Sequence, residues 1–317
     1  MYRYFQKEHF IGAGLLILLL LSAPGGAFAV ESFSLRPVKP PLLKRTSRLL
    51  EGARRSPVLR RVDALMNFAG LYELLSYIHT PAVTVLPPVR ESSPEKRGSS
   101  SIKALSANLI LFPEPFFFNQ EQRIAAFAQC ARRLNPDFMF LQEVWDNNCL
   151  AQLIAEFPDY YSIYVTSIGY NCSGLLILSR YPAKEHMTRR FAVSLQYSIE
   201  ELVAQKGFLL VESEINGKPV YLLNTHLYSA APHKSYRPNP AQFSLIANVV
   251  KNLPGQAIVA GDMNLRPAEI DARLPENLLR EGCELPTAGY PNLSQKLDYI
   301  MAKSVAGKKV MIKGSRV

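Results

Sequence analysis

Apolar residues recur along most of this chain at the spacings that are typical of short strands and helices. The strands are predicted at Ala104–Phe112, Asp137–Leu141, Tyr161–Thr166, Gly174–Ser179, Gly207–Ile215, Val220–His226, Ala257–Ala260 and Leu297–Met301. Helices are predicted at Leu150–Phe157, Ala241–Leu253 and Ala268–Leu279, and after a capping box at Asn119–Gln122. Asn216-Gly217 is a hairpin signal between two of the strands. This order predicts an α/β fold, a four-layer sandwich of two packed mixed β-sheets flanked by helices.

The first 29 residues have the pattern of an export signal. Arg3 and Lys7 precede an almost wholly apolar stretch, Ile11–Leu21, and Ala27–Ala29 offers a small-residue cleavage site. The apolar stretch is shorter than the roughly 20 residues of a membrane-spanning helix. The sequence therefore predicts an exported protein, secreted or periplasmic, with an uncleaved membrane anchor as the less favoured alternative.

Residues 30–103 differ in composition from the rest of the chain. They are rich in Pro, Ser, Arg and Lys, and Arg90–Ser101 has the composition of a linker. Val58–His79 carries apolar residues at helical spacing with charged residues opposite. This amphipathic helix either packs on the main domain or lies on a membrane surface. We therefore predict a basic extension at 30–103, followed by the main domain at 104–317.

Composition and charge exclude little beyond disorder. Hydrophobic residues make up 48% of the chain, which suffices for a packed core. The net charge of +10 fits an anionic partner such as nucleic acid, acidic lipid or a phosphoester. Because much of this charge falls in Glu31–Lys103, it does not by itself indicate a nuclease.

The four cysteines allow three full disulfide pairings in an exported protein. Cys149 and Cys172 form the most natural pair, since both lie in polar surroundings, whereas Cys130 falls in a predicted helix and is assigned to packing. The chain has no Cys-x-x-Cys pair and no Cys/His cluster, so a zinc site has no support.

Single polar residues interrupt or end five of the apolar runs. They are Asn108, Glu143, His226, Asp262 with Asn264, and Asp298. Glu143 follows a buried strand, a position that suits a Mg²⁺ ligand, because Mg²⁺ prefers one or two carboxylates plus water and phosphate oxygens. Asp262 and Asn264 are two residues apart, so both can point into one cleft while Met263 faces the other way.

The order and surroundings of these residues resemble the endonuclease/exonuclease/phosphatase superfamily and, within it, the secreted neutral sphingomyelinases. The resemblance rests on QEVWDN around Glu143, Lys206-Gly207, THL around His226, GDMN at Asp262 and LDYIM at Asp298. It extends from about Ala104 to Met301 and implies a DNase I-like fold.

The resemblance also implies a role for each residue and a cofactor, Mg²⁺ or Mn²⁺. The implied metal ligands are Glu143 and Asn108; the implied substrate-binding residues are Asn108, Asn264 and Lys206; the implied catalytic residues are His226, Asp262, Asn264 and Asp298. The superfamily closes its site with a late Ser-Asp-His motif, and no histidine follows Asp298 here. We therefore expect the 317-residue chain to be feebly active, with His233 as a poorly supported substitute base.

The favoured function is a sphingomyelinase-like, metal-dependent phosphodiesterase that hydrolyses a phospholipid by in-line attack of water. A nuclease of the same superfamily is the alternative, and nucleic acid is the less favoured substrate. The other alternative is a binding protein on a catalytically impaired scaffold. The aromatic run Phe116–Phe118 is a candidate contact with a membrane surface. The oligomeric state is left open.

Overall fold

The computed structural model of the protein describes residues 81–90, 102–112, 119–167, 170–192, 201, 204–229, 237–280, 288–290 and 293–305. The predicted export signal at 1–29, the predicted helix at 58–79, the run Phe116–Phe118 and His233 lie outside these ranges. They remain predictions from the sequence.

The first sheet contains five strands, two helices being inserted between them. The strands are β1 (Ala82–Leu86), β2 (Ala104–Leu111), β3 (Phe138–Val144), β4 (Tyr161–Ser167) and β5 (Tyr170–Ser179), in the spatial order β1-β4-β5-β3-β2. Only β2 and β3 run parallel among these neighbours. A parallel pair needs a crossover connection, and helix α1 (Gln120–Leu134) supplies it. Helix α2 (Asn147–Glu156) then connects β3 to β4.

The second sheet contains six strands. They are β6 (Ala183–Arg190), β7 (Gly207–Ile215), β8 (Lys218–His226), β9 (Gln256–Asp262), β10 (Leu278–Arg280) and β13 (Asp298–Lys303), in the order β10-β13-β9-β8-β7-β6. Helix α3 (Asn239–Lys251) connects the parallel pair β8 and β9, and α4 (Pro267–Asp271) follows β9. A separate hairpin consists of β11 (Ala288–Tyr290) and β12 (Leu293–Gln295).

The two sheets pack face to face, and helices cover their outer faces. Phe138, Phe140, Leu209 and Leu222 belong to the core between the sheets. A second core lies between the first sheet and helices α1 and α2, and a third lies between the second sheet and helices α3 and α4. This arrangement confirms the predicted four-layer α/β sandwich.

One prediction of domain boundaries is wrong for residues 81–90. Ala82–Leu86 was assigned to the extension at 30–103, but it forms β1 and pairs with β4 at the edge of the first sheet. Val83 and Val85 pack against the core between the sheets. The neighbouring prolines suggested a linker, whereas they flank the strand without interrupting it, a position that proline tolerates at a sheet edge.

Three local predictions also need correction. Asn119 precedes α1 with a left-handed φ of 68° and no side-chain capping bond, so the capping box is absent. The helix predicted at Ala268–Leu279 ends at Asp271, and Leu278–Arg280 pairs with β13 instead. Proline at position 275 interrupts the predicted helix. Cys130 lies on α1 as predicted but is exposed rather than packed.

Two further predictions concern the membrane and the cysteines. No helix in the described part of the chain combines the length and the apolar character that a membrane crossing requires. Cys149 is buried on α2, whereas the side chain of Cys172 lies outside what the structure describes, so their pairing stays a prediction.

Candidate active site

The polar residues singled out in the sequence gather at one end of the gap between the two sheets. On β8, Leu222 belongs to the inter-sheet core, so the alternation of the strand directs Asn224 and His226 to the same face. The same rule places Asp262 of β9 and Asp298 of β13 on that face. The apolar filling between the sheets therefore gives way to a polar cluster at this end.

Three of these residues form a row across the second sheet. His226 pairs with Asp262 in the parallel register of β8 and β9. Asp262 in turn pairs with Asp298 in the antiparallel register of β9 and β13. Because adjacent strands lie roughly 4.8 Å apart, the register alone brings the three side chains together.

The first sheet contributes Asn108 from β2 and Glu143 from β3. Gln142 faces the second sheet and Val144 faces the helices, so the alternation of β3 breaks at Glu143, whose φ is 58°. Glu143 was expected directly after the strand, but it lies inside β3. Its left-handed backbone is what allows two successive residues to reach the same side.

A matching irregularity lies on the neighbouring strand. The register of β2 against β3 shifts between Asn108 and Leu111, and Ile110 has a φ of 52°. A positive φ is unfavourable for a β-branched residue. Backbone strain of this kind persists only where the surrounding structure enforces it, and it is concentrated at functional sites.

Four side chains from both sheets converge on one point. Asn108 Nδ2 donates to Glu143 Oε1 at 2.7 Å and to Asp262 Oδ2 at 3.1 Å. His226 Nε2 lies 3.8 Å from the same Glu143 oxygen and 3.7 Å from the same Asp262 oxygen. The Asn108 amide therefore bridges the two carboxyl groups.

Burial controls the protonation of this cluster. It raises the pKa of Glu143, against the opposing effects of Lys206 and the Asn108 hydrogen bond. Burial, together with the neighbouring Asp298, raises the pKa of Asp262 to about 8. Burial and the charge of Lys206 hold the pKa of His226 well below its usual range, so its imidazole is neutral at pH 7.

Asn264 lies at the edge of the cluster, directly after β9. Its backbone N–H donates to Asp262 Oδ1 at 3.0 Å, and its φ is 47°. Its side-chain Nδ2 donates to the backbone oxygen of Leu227 at 3.1 Å, next to His226. Met263 points into the opposite core, between the sheet and helices α3 and α4.

Gly261 permits the close approach of β8 and β9 beneath the row. Its φ is 148°, and a Cβ added there would lie 1.9 Å from the backbone oxygen of Thr225. We expect Gly261→Ala to destabilise the protein by about 3 kcal/mol or more, because β8 and β9 would have to separate. Urea unfolding measures the loss.

The matched control is Gly217→Ala in the β7–β8 hairpin. Gly217 has a φ of 75°, but no atom lies within 4 Å of the added Cβ. Only the strain of the left-handed backbone remains, roughly 1–2 kcal/mol. Equal losses in the two variants would contradict the proposed clash.

Lys206, which directly precedes β7, is buried. Its Nζ donates to Glu201 Oε1 at 2.9 Å and to the backbone oxygen of Leu227 at 3.1 Å. Glu201 also accepts from the backbone N–H of Ser229 at 3.1 Å. This ion pair supports the backbone that follows His226, and direct substrate binding by Lys206 stays a prediction.

Sequence reasoning missed three buried polar residues of the site. Glu201 carries no motif and could not have been found. Gln142 and Asn224 are fully buried and bond to each other across the two sheets. Both interrupt apolar runs as Asn108 does, and that signal was available in the sequence.

The donor set fits a hard divalent cation. Mg²⁺ and Mn²⁺ prefer oxygen ligands, and Glu143 and Asp262 bring two buried carboxylates to one amide nitrogen. Burial raises the pKa of both carboxyl groups, and a cation would offset the cost of their buried charge. Across the described ranges, no three His, Cys, Asp or Glu side chains are arranged to hold a metal ion by themselves.

Glu143 and Asn108 were both predicted as metal ligands. Asn108 turns its Nδ2 toward the carboxylates, and its Oδ1 accepts from the backbone N–H of Ile110 at 3.2 Å. The structure thus places Asn108 as the residue that orients the two carboxylates. Its direct ligation of a metal remains a prediction, as does that of Glu143.

Comparison with known proteins assigns the chain to a family. The model of the endonuclease/exonuclease/phosphatase family matches residues 118–312. The 5'-tyrosyl-DNA phosphodiesterase of Caenorhabditis briggsae is 31% identical over 175 residues, which cover 52% of this chain and 46% of that protein. The phospholipase C of Staphylococcus aureus is 24% identical over 198 residues, covering 54% of this chain and 59% of that protein. The chain thus spans about half the length of the curated relatives it matches.

Solved structures share the fold. A β-hairpin deletion mutant of Staphylococcus aureus beta toxin superposes with a TM-score of 0.55 at 22% identity, covering 69% of this chain and 93% of the toxin. Another structure of that toxin, with bound magnesium ions, has a TM-score of 0.50 at 23% identity and covers 64% and 84%. With more than half of its length matched by the family model and its sandwich shared with these structures, the chain belongs to the endonuclease/exonuclease/phosphatase family.

Proposed function

We propose that the protein is a phosphodiesterase that depends on a divalent metal, Mg²⁺ or Mn²⁺. The observation that carries the proposal is the convergence of Asn108, Glu143, His226 and Asp262 from two sheets on one point. Two carboxylates, an amide and a neutral imidazole together supply a metal site, a proton acceptor and a hydrogen-bond donor for a phosphoryl group.

Each residue has a role that follows from its surroundings. Glu143, with Asn108 orienting it, would hold the cation, which when bound polarises a phosphoryl oxygen. Burial keeps the carboxyl group of Asp262 more basic than an ordinary aspartate, so it would take the proton of the attacking water. Asp298, its neighbour in the sheet, keeps that carboxyl basic.

The remaining groups stabilise the charge that develops on the phosphoryl group. Water would attack phosphorus opposite the leaving oxygen and pass its proton to Asp262. The bond from phosphorus to the leaving oxygen would break, and that oxygen would take up a proton from solvent. His226 is neutral and therefore offers one N–H to a phosphoryl oxygen. The Asn264 amide next to it is held in place by the backbone oxygen of Leu227.

A phospholipid is the first candidate substrate. The chain is similar to a phospholipase C, and its motifs resemble those of secreted sphingomyelinases. The export signal predicted at residues 1–29 supports the same assignment, since it would bring the protein to the outside of a membrane.

A DNA phosphodiester is the second candidate. It is favoured by the 31% identity to a 5'-tyrosyl-DNA phosphodiesterase, which exceeds the 24% identity to the phospholipase. The chemistry at the site is the same for both candidates, because only the phosphodiester group enters it.

A single set of assays tests the proposal. The full chain is incubated with sphingomyelin vesicles, phosphatidylcholine vesicles, a 5'-phosphotyrosyl oligonucleotide and plasmid DNA, each with Mg²⁺ and with EDTA. We expect phosphocholine release from sphingomyelin that requires Mg²⁺. Cleavage confined to the two DNA substrates would favour the second candidate. If none of the four substrates is cleaved in a metal-dependent way, the proposed phosphodiesterase activity is refuted.

A further inference from the structure

A polar junction between the two sheets lies directly beneath the active site. Gln142 of β3 and Asn224 of β8 are each fully buried, and Gln142 Nε2 donates to Asn224 Oδ1 at 2.7 Å. Below them, the space between the sheets is filled by apolar side chains such as Phe140 and Leu222. The two amides are therefore the first polar layer above an apolar core.

Asn224 bonds to the backbone of the first sheet. Its Nδ2 donates to the backbone oxygen of Leu141 at 2.9 Å and to that of Leu176 at 3.0 Å. Leu141 and Leu176 form the last pair of the β3–β5 ladder at this end. A side chain from the second sheet thus satisfies two backbone oxygens where the ladder of the first sheet stops.

The junction leaves one buried polar atom without a hydrogen bond within the described ranges. Gln142 Oε1 is buried and finds no hydrogen-bond partner among the residues that the structure describes. An apolar pair of similar size would avoid this cost. A polar pair retained at such a place therefore points to a role beyond filling space.

The junction is placed to control the geometry of the cluster. Gln142 directly precedes Glu143, and Asn224 lies two residues before His226 on the same face of β8. The 3.8 Å separation of Glu143 Oε1 and His226 Nε2 is a distance between the two sheets. Apolar contacts are non-directional, whereas hydrogen bonds have preferred distances and angles and therefore specify the relative position of the two sheets more narrowly.

We infer that Gln142 and Asn224 are positioning residues that set the spacing and register of the two sheets at the active site. They touch neither substrate nor metal. Their effect reaches the chemistry through Glu143 and His226, so its catalytic consequence rests on the proposed phosphodiesterase function. The effect on the spacing of the sheets does not depend on that function.

Two variants remove the hydrogen bonds while keeping the approximate volume, Gln142→Met and Asn224→Leu. Tyr160→Phe is the matched control, because the Tyr160 hydroxyl is also buried and donates to the backbone oxygen of Pro136 at 2.6 Å, near the opposite end of β3. Crystal structures of the variants measure the separation of Glu143 and His226. Turnover of bis(4-nitrophenyl) phosphate with Mn²⁺ measures the catalytic effect.

We expect the separation of Glu143 and His226 to change by about 1 Å in both variants and to stay fixed in Tyr160→Phe. We expect kcat to fall roughly 10- to 100-fold in both variants with KM nearly unchanged, as for other residues that orient catalytic groups. The double variant Gln142→Asn with Asn224→Gln keeps both amides and the combined length, so it should recover part of kcat.

An unchanged separation in the crystal structures would overturn the inference whatever the activity. A fall in kcat no larger than that of Tyr160→Phe, with both variants folded, would also overturn it. If the single variants do not fold, the test rests on the double variant Gln142→Asn with Asn224→Gln, whose amides can re-form the junction. A folded double variant without recovery of kcat would then overturn the inference. A wild-type protein without phosphodiesterase activity would refute the proposed function and leave the crystallographic comparison standing.

Discussion

Glu143→Gln is expected to lower kcat for any phosphodiester by on the order of 10³-fold and to abolish its dependence on Mg²⁺ concentration. Mg²⁺ is held by few protein ligands, so the loss of one carboxylate weakens its binding strongly. The fold should be unaffected or slightly stabilised. Burial raises the pKa of Glu143, which means that the folded protein disfavours its charge, and a neutral amide of the same shape removes that cost.

Calorimetric titration with Mg²⁺ and Mn²⁺ measures the binding, and thermal unfolding in EDTA measures the stability. Glu156→Gln is the matched control, because Glu156 lies on α2 at the surface and pairs with Arg132. It should leave metal binding and turnover unchanged. A Glu143→Gln protein with the metal affinity of the wild type would remove Glu143 from the metal site.

The metal-free protein is expected to lose stability as the pH rises from 6.5 to 8. An aspartate has an ordinary pKa of 3.8, whereas that of Asp262 in the fold is about 8, so between these values the folded protein binds a proton that the unfolded chain has released. Stability then falls with increasing pH. Glu143 acts in the same direction, since its pKa is also raised.

His226 acts in the opposite direction but at lower pH. Its folded pKa lies well below the ordinary 6.5, so it favours folding as the pH rises through 6.5, with an effect that fades by about pH 7.5. Over most of the interval the contribution of Asp262 therefore dominates. One proton corresponds to about 1.4 kcal/mol per pH unit, which gives a loss of up to about 2 kcal/mol.

Thermal or urea unfolding in EDTA at several pH values measures this loss. Asp262→Asn should flatten the profile over the same interval, because its side chain has no proton to exchange. A wild-type stability that stays constant or rises between pH 6.5 and 8 would contradict the raised pKa of Asp262.

The sequence predicted those parts of the fold whose cause is local. The hairpin at Asn216 and Gly217 is confirmed, with φ values of 51° and 75° that few other residues adopt. The buried strands β3, β8 and β9 were recognised from their apolar runs. The edge strands β1 and β6 were not. β1 (AVTVL) is short and lies between prolines that suggested a linker, and β6 (AKEHMTRR) is largely polar because only one of its sides is paired.

The candidate site shows the same division. His226, Asp262 and Asp298 come together because each ends or begins a strand on one face, and strand alternation is visible in the sequence. Strict alternation would have turned Glu143 toward the helices; only its left-handed backbone brings it to the site. The bond between Gln142 and Asn224 joins residues 82 positions apart, which no local pattern records.

The row of His226, Asp262 and Asp298 also limits how much of a substrate the proposed site can recognise. Three adjacent strands span only about 10 Å, the width of a phosphodiester group and the atoms on either side of it. A row of that width contacts the phosphodiester group and does not distinguish a lipid headgroup from a nucleotide. Whatever distinguishes them must touch residues outside the row. We therefore expect substrate choice to depend on those residues, while the row itself stays unchanged.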